Sequence, residues 1–301
     1  MNVLYFVYCF AILNSKSIFS NANPLMGYNI EYVEARELDF IVSISKKYHP
    51  GSYEEDSHIC GGVLITTRHV ITSAHCKCER AVELDYYTVK IGHDLRNPKA
   101  NYSIESWINF KKCCCPLFKR QNICNDIAVL RLSEDIRSKL TREIEFPVLN
   151  YSPIDQFYHK TVLTAGWGIV NSLVHPRMMQ KTVMRTITKE ECQRNIDNAP
   201  KVPNSNGRTR ERYIVKSHVL CSNGNPIPGR IPYTSLGSGD SGSPLIFRNN
   251  QIIAINQASV PVEGAPYVAY EQTVHVVLKP YRRFIENQLA ERRNGGCFGT
   301  N

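Results

Sequence analysis

The chain has 301 residues, 43% of them hydrophobic, long enough to bury one large core or two smaller ones. Its 36 Lys and Arg against 27 Asp and Glu give a formal charge of +9, spread over short clusters such as Lys111-Lys112, Lys119-Arg120 and Arg292-Arg293. No nucleic-acid motif accompanies them, which excludes a nucleic-acid partner; solvated surface is the expectation, an anionic glycan or acidic protein the alternative.

In chain order, the first element is an apolar run from Val3 to Leu13, too short to span a bilayer, followed by small residues at Ser20 and Ala22. It reads as a signal peptide over residues 1–22, although the usual basic residues before the run are missing. No later segment approaches a membrane span, so the mature protein is expected to be secreted and extracellular, with no membrane partner. Removing residues 1–22 takes away Lys16 and Cys9, so +9 becomes +8 and 11 cysteines become 10. An even number suits an oxidising compartment.

Short runs rich in Val, Ile, Tyr and Phe follow: Asp39–Ile44, Gly62–Ile65, Thr88–Gly92, Ile127–Leu132 and Gln251–Ile255. Separated by polar turns, they predict the strands of a sandwich or barrel. His69 falls inside such a strand and reads as structural. His75 lies between a small-residue turn, Thr72-Ser73-Ala74, and Cys76. Asn101-Tyr102-Ser103 is a glycosylation sequon, expected in a surface loop. Cys113, Cys114, Cys115 and Cys124 could ligate zinc, but no partnered Cys/His spacing is present, and disulfides are favoured. The pairing of these four with Cys78 and Cys297 is open.

Asp126 opens an apolar strand, as an Asx-turn residue or as a functional carboxylate. The stretch from Glu191 to Ser222 reads as a long loop with a basic segment, Asn198–Arg212, serving specificity or merely inserted at the surface. In Gly239-Asp240-Ser241-Gly242-Ser243-Pro244, glycines on both sides of a serine permit a tight turn that aims backbone N–H groups at an oxyanion. Alone, the hexapeptide could be an ordinary turn. Lys279–Ala290 predicts a helix with Pro280 in its first turn and Tyr281, Phe284, Ile285 and Leu289 on one packed face. Residues 291–301 form a Gly-containing tail.

Four segments occur in order: Cys60–Ile65 with Val70–Cys76, Asn125–Leu132, Thr164-Ala165-Gly166-Trp167-Gly168, and Gly239–Pro244. Together they resemble the chymotrypsin/trypsin family of serine endopeptidases, over residues 25 to 287. The resemblance implies an all-β fold, two six-stranded antiparallel β-barrels with a C-terminal α-helix, within a peptidase domain over residues 25–290. It implies Ser241 as nucleophile, His75 as base and Asp126 as the group that orients and stabilises the imidazole. It also implies an oxyanion hole from the N–H groups of Gly239 and Ser241, and Asp240 as acceptor of a new N-terminal ammonium. Bridges Cys60–Cys76 and Cys192–Cys221 follow from it, as do protein or peptide substrates, proteinaceous inhibitors as partners, a monomer, and no metal or organic cofactor.

Departures from the family pattern bear on specificity. Ser243 stands where the family has glycine, Gly237 where it has cysteine, and Gln257-Ala258-Ser259 where it has Ser-Trp-Gly. The pocket is expected to involve Ser235 at its floor with Leu236, Ala258 and Ala265. With no carboxylate at 235, cleavage after Arg or Lys is predicted to be poor, unless Glu263 supplies the charge. Leu25-Met26-Gly27-Tyr28 occupies the place of the family's Ile-Val-Gly-Gly with no Arg or Lys before it. Asn23-Pro24 is therefore read as a two-residue propeptide whose removal exposes Leu25 to Asp240, or else as a signal-peptide remnant. The rival function is a silent protease homologue acting as a binding decoy or cofactor.

Overall fold

The computed structural model describes residues 30–47, 57–77, 83–110, 125–168, 175–198, 214–224, 236–260 and 272–290. Six strands close the first barrel: β1 (Ile30–Tyr32) lies outside it, and β2 (Ile41–Lys46), β3 (Ser57–Leu64), β4 (His69–Thr72), β5 (Tyr87–Ile91), β6 (Ala100–Asn109) and β7 (Ala128–Leu132) ring it in the order β2-β3-β4-β7-β6-β5. After the short β8 (Val148–Leu149), the second barrel is built from β9 (Thr161–Gly166), β10 (Gln180–Ile187), β11 (Val219–Gly224), β12 (Pro244–Phe247), β13 (Gln251–Val260) and β14 (Gln272–Val277). Its ring runs β9-β10-β11-β14-β13-β12, with β1 added to β10 and β8 to β13. The two antiparallel barrels are those the sequence predicted.

β-Branched residues alternating with polar ones explain the strands: in β5, Tyr87, Val89 and Ile91 are buried and Thr88 and Lys90 half-buried. One hydrophobic cluster fills the first barrel and continues through Trp167, Ile255 and Val276 into the second, so the two barrels share a packed seam. The C-terminal segment is a 3-10 turn, Lys279–Tyr281, followed by α2 (Arg282–Ala290), after α1 (Lys189–Asn198) earlier in the chain. Tyr281 and Ile285 are fully buried in the shared core, and Phe284 and Leu289 pack against it, as the helical stripe predicted.

Helix α1 is a correction, because it occupies the start of the stretch read as a loop from Glu191. Its N-terminus is a reciprocal cap: Glu191 N–H donates to Thr188 Oγ1 at 3.1 Å and Thr188 N–H to Glu191 Oε2 at 2.8 Å. Cys192 and Ile196 supply its buried face. Cys60–Cys76 and Cys192–Cys221 are bonded. Cys78, Cys113, Cys114, Cys115, Cys124 and Cys297 lie outside the described residues, as do the signal segment, Leu25, most of the basic loop and the tail. Asn101 is exposed, on strand β6 rather than in a loop.

Candidate active site

His75 sits in a 3-10 turn, Ala74–Lys77, directly after β4, held by the Cys60–Cys76 bridge and by the Cys76 N–H bonded to Ser73 O. Asp126 reaches it from the segment before β7. Asn125 adopts φ +43, a left-handed conformation that Asn tolerates, and its side-chain oxygen accepts from the Tyr281 hydroxyl at 3.1 Å. This bend turns Asp126 inward, where it is fully buried. One carboxylate oxygen accepts the His75 backbone N–H at 2.8 Å, and the other meets His75 Nδ1 at 2.6 Å. Nδ1 therefore carries a proton, which leaves Nε2 as the basic nitrogen. Burial alone would lower the affinity of His75 for a proton, but the charge and hydrogen bond of Asp126 outweigh it and raise the pKa above the ordinary histidine value.

The loop bearing Ser241 docks on the same corner. Gly61 N–H donates to Ser241 O at 2.8 Å. Gly242, at φ +82, lies so close that a Cβ there would come within 2.2 Å of Thr72 Oγ1 and 2.4 Å of Gly61 O. Ser73 Oγ, two residues before His75, donates to Asn256 O at 2.9 Å. Ser241 Oγ donates to Gln257 O at 3.2 Å.

Along the loop, the N–H groups of Asp240, Gly242 and Ser243 go to Gly237 O, Asn256 O and Asp240 O. Those of Gly239 and Ser241 have no acceptor among the described residues. Gly239 has φ +104 and packs under a half-buried imidazole: a Cβ there would lie 2.7 Å from His175 Cε1. His175 Nδ1 is 2.7 Å from Trp167 O, and its ring stands edge-on to that of His58 with centroids 5.0 Å apart. His58 Nε2 donates to Gly239 O at 3.0 Å, while its Nδ1 is 2.7 Å from Ser43 Oγ. Burial, and then His175, hold the His58 pKa down to about 3, so the ring is neutral. Sequence reasoning missed this His58–His175 support, because its partners come from four separated segments.

Asp240 is fully buried and accepts the N–H groups of Gly168 and Gly237, each at 2.8 Å. Burial raises its pKa to about 7, and the two backbone bonds offset only part of that. No cationic side chain pairs with it among the described residues. The expected pocket residues are only partly described: Ser235 and Ala265 fall outside, Leu236 is buried with its carbonyl on Ser259 Oγ at 2.9 Å, and Ala258 is half-buried beside the Cys192–Cys221 region.

Behind this strand lies a sealed polar network that the sequence did not reveal. Asn256 Nδ2 donates to Thr164 Oγ1 at 2.8 Å, His275 Nδ1 is 2.9 Å from Asn256 Oδ1, and His275 Nε2 is 2.7 Å from Ser222 Oγ. Asn256 Oδ1 can only accept, so His275 carries its proton on Nδ1 and takes the Ser222 hydroxyl on Nε2. Burial holds the His275 pKa down to about 3. Ser243 fits in place of glycine because Gly61 leaves room: a Cβ on Gly61 would sit 1.9 Å from Ser243 Oγ. Among the described residues the one Cys/His grouping near metal-binding spacing is Cys60, His75 and Cys76, and the disulfide already occupies both sulfurs.

A family model described as Trypsin matches residues 30–279. The chain is 25% identical over 206 residues to the clotting factor G beta subunit of Tachypleus tridentatus, covering 66% of this chain and 61% of that protein. It is 24% identical over 194 residues to human kallikrein-7, covering 63% of this chain and 62% of the relative. The chain spans less than two thirds of the length of these curated relatives. Mouse neuropsin, a serine protease, shares the fold with a TM-score of 0.61 at 17% identity, over 86% of this chain and 98% of that one. With the matched segment covering most of the sequence, this chain belongs to the trypsin family of serine proteases.

Proposed function

We propose that this protein is a secreted, monomeric serine endopeptidase that hydrolyses protein or peptide substrates by acyl transfer. The observation that carries the reading is the His75–Asp126 pair, bonded through both backbone and ring, beside a serine loop with two N–H donors that have no acceptor among the described residues. Ser241 turns its hydroxyl from the Gln257 carbonyl to His75 Nε2 and attacks the scissile carbonyl. The imidazole takes the proton and gives it to the leaving amine as the peptide C–N bond breaks. Water, deprotonated by the same imidazole, then attacks the Ser241 ester and releases the acid, and the imidazole returns the proton to Ser241 Oγ. Asp126 stabilises the imidazolium in both halves. Gly239 and Ser241 N–H groups hold the oxyanion, each contributing about 3–4 kcal/mol to the transition state.

Asp240 supports an activation step by a new N-terminus. A buried carboxylate that meets no cationic side chain among the described residues gains from an ammonium, provided the pairing offsets the desolvation of both charges. Leu25 is the terminus we propose, freed by removal of Asn23-Pro24. Ser235 at the pocket floor leaves a substrate Arg or Lys unpaired, so small or apolar residues are preferred.

Profiling the activated protein against a peptide library tests this reading. Cleavage after small or apolar residues, absent in Ser241→Ala, is expected. No cleavage by correctly processed protein would favour the decoy; a profile led by Arg or Lys would overturn the specificity. Sequencing the N-terminus of active protein should give Leu25, and an active enzyme starting at Asn23 would overturn the activation route.

A further inference from the structure

On the first barrel, where β4, β6 and β7 meet α2, a surface cavity of about 280 Å³ is lined by His69, Glu105, Ser106, Arg131 and Gln288, with two aliphatic side chains completing it. Three of these form one row: His69 pairs with Arg131 across β4 and β7, and Arg131 with Ser106 across β7 and β6. Residues so paired raise their side chains on the same face.

The hydrogen bonds fix which proton His69 carries. Thr66 Oγ1 accepts the N–H groups of Arg68 at 3.2 Å and of His69 at 3.1 Å, which uses both its lone pairs. Its own proton then goes to His69 Nδ1, 2.8 Å away. Nε2 is therefore the N–H nitrogen of a neutral ring. It is buried and has no hydrogen-bond partner among the described residues, in a residue only 8% exposed. A buried donor left unmade costs about 1–3 kcal/mol.

The charges around it are positive on balance. Arg131 Nε donates to Glu105 Oε2 at 2.8 Å and Arg68 Nη2 to the same oxygen at 3.1 Å, so two guanidiniums face one carboxylate. Arg131 spends only Nε on that bond, and its two terminal nitrogens have no acceptor among the described residues. At His69, burial comes first, and then Arg131 and Arg68 outweigh Glu105, holding the pKa down to about 4.

We propose that this cavity binds a small oxyanion, its oxygens taken by His69 Nε2–H and the terminal N–H groups of Arg131 with the Ser106 hydroxyl alongside. Glu105 opposes the anion, but its charge is already met by two guanidiniums. The volume far exceeds the ~30 Å³ share of one water. The site uses none of the residues assigned to proteolysis.

The test is a titration of the full-length protein with inorganic sulfate, followed by NMR of the imidazole resonances, with chloride at matched ionic strength as control. The His69 resonances should shift saturably with sulfate and not with chloride. The His69 pKa should rise from about 4, because a bound anion favours the imidazolium. Arg131→Gln should weaken the apparent affinity about tenfold, the scale of one hydrogen bond to a charged group. No saturable shift at His69, a response equal to that of chloride, or unchanged affinity in folded Arg131→Gln overturns the proposal. The wild-type titration decides it alone should the variant fail to fold.

Discussion

The two barrels carry polar groups of opposite character. On the first, His75 and Asp126 form a paired, partly open site whose imidazole keeps 23% of its side-chain exposure and a raised proton affinity. On the second, Thr164, Asn256, His275 and Ser222 form a sealed, neutral chain of hydrogen bonds with His275 held down to about 3. The first arrangement has the polarity that moving a proton requires; the second ties strands β9, β11, β13 and β14 together. Buried polar networks of this kind are stable only when every member is satisfied.

The largest expected effect is on the catalytic corner. Asp126→Asn should lower kcat by about 10⁴-fold, since the imidazole loses the tautomer that leaves Nε2 basic. Activity needs neutral His75, so kcat/KM should fall with acid through a pKa above the ordinary histidine value, the direction Asp126 imposes. A loss under about tenfold in Asp126→Asn would mean that the pair has no such role.

Next comes the sealed network. His275→Phe removes the partner of Asn256 Oδ1, and that orphaned acceptor should cost about 1–3 kcal/mol in urea unfolding, while the Ser222 hydroxyl keeps Met184 Sδ at 3.6 Å as an acceptor. Asn256→Val in the same background should cost less than it does alone, because the two share one network. Strict additivity would separate them.

A smaller, paired effect is expected where the barrels meet. Gly61→Ala should destabilise by about 1–3 kcal/mol by overpacking against Ser243 Oγ, and Ser243→Gly should restore most of it. Rescue that fails would show the clash lies elsewhere.

A signal of another kind is the pH dependence of Asp240 in protein lacking the new N-terminus. Its folded pKa of about 7 exceeds the unfolded carboxylate value, so the unfolded chain loses this proton first as pH rises. The stability difference between wild type and Asp240→Asn should therefore decline between about pH 4 and pH 7. Taking the difference cancels the buried histidines, whose lowered pKa values act in the opposite sense. A flat difference would place a cation beside Asp240.

How much of this was legible in the sequence follows from how local each feature is. His75, Asp126 and Ser241 sit in short segments whose own glycines, disulfide and strand boundaries build the turns that present them. The strands at β5 and β13 and the stripe from Tyr281 to Leu289 were equally local. Helix α1 was readable too, through Thr188 and Glu191, but the length of the following insertion masked it. His275, Asn256, Ser222 and Thr164 were not legible, since each is unremarkable beside its neighbours and gains meaning only from pairing across four strands. His175 and His69 were hidden for the same reason: the partners that define them lie on other segments.

The central claim, that the catalytic corner works as a proton-transfer site, is tested most directly by labelling with a serine-reactive phosphonate. Correctly processed protein should be modified once, at Ser241, with no labelling in Ser241→Ala and greatly slowed labelling in His75→Ala. Wild-type protein that resists the probe while remaining folded would contradict the account and leave a binding protein on a protease fold.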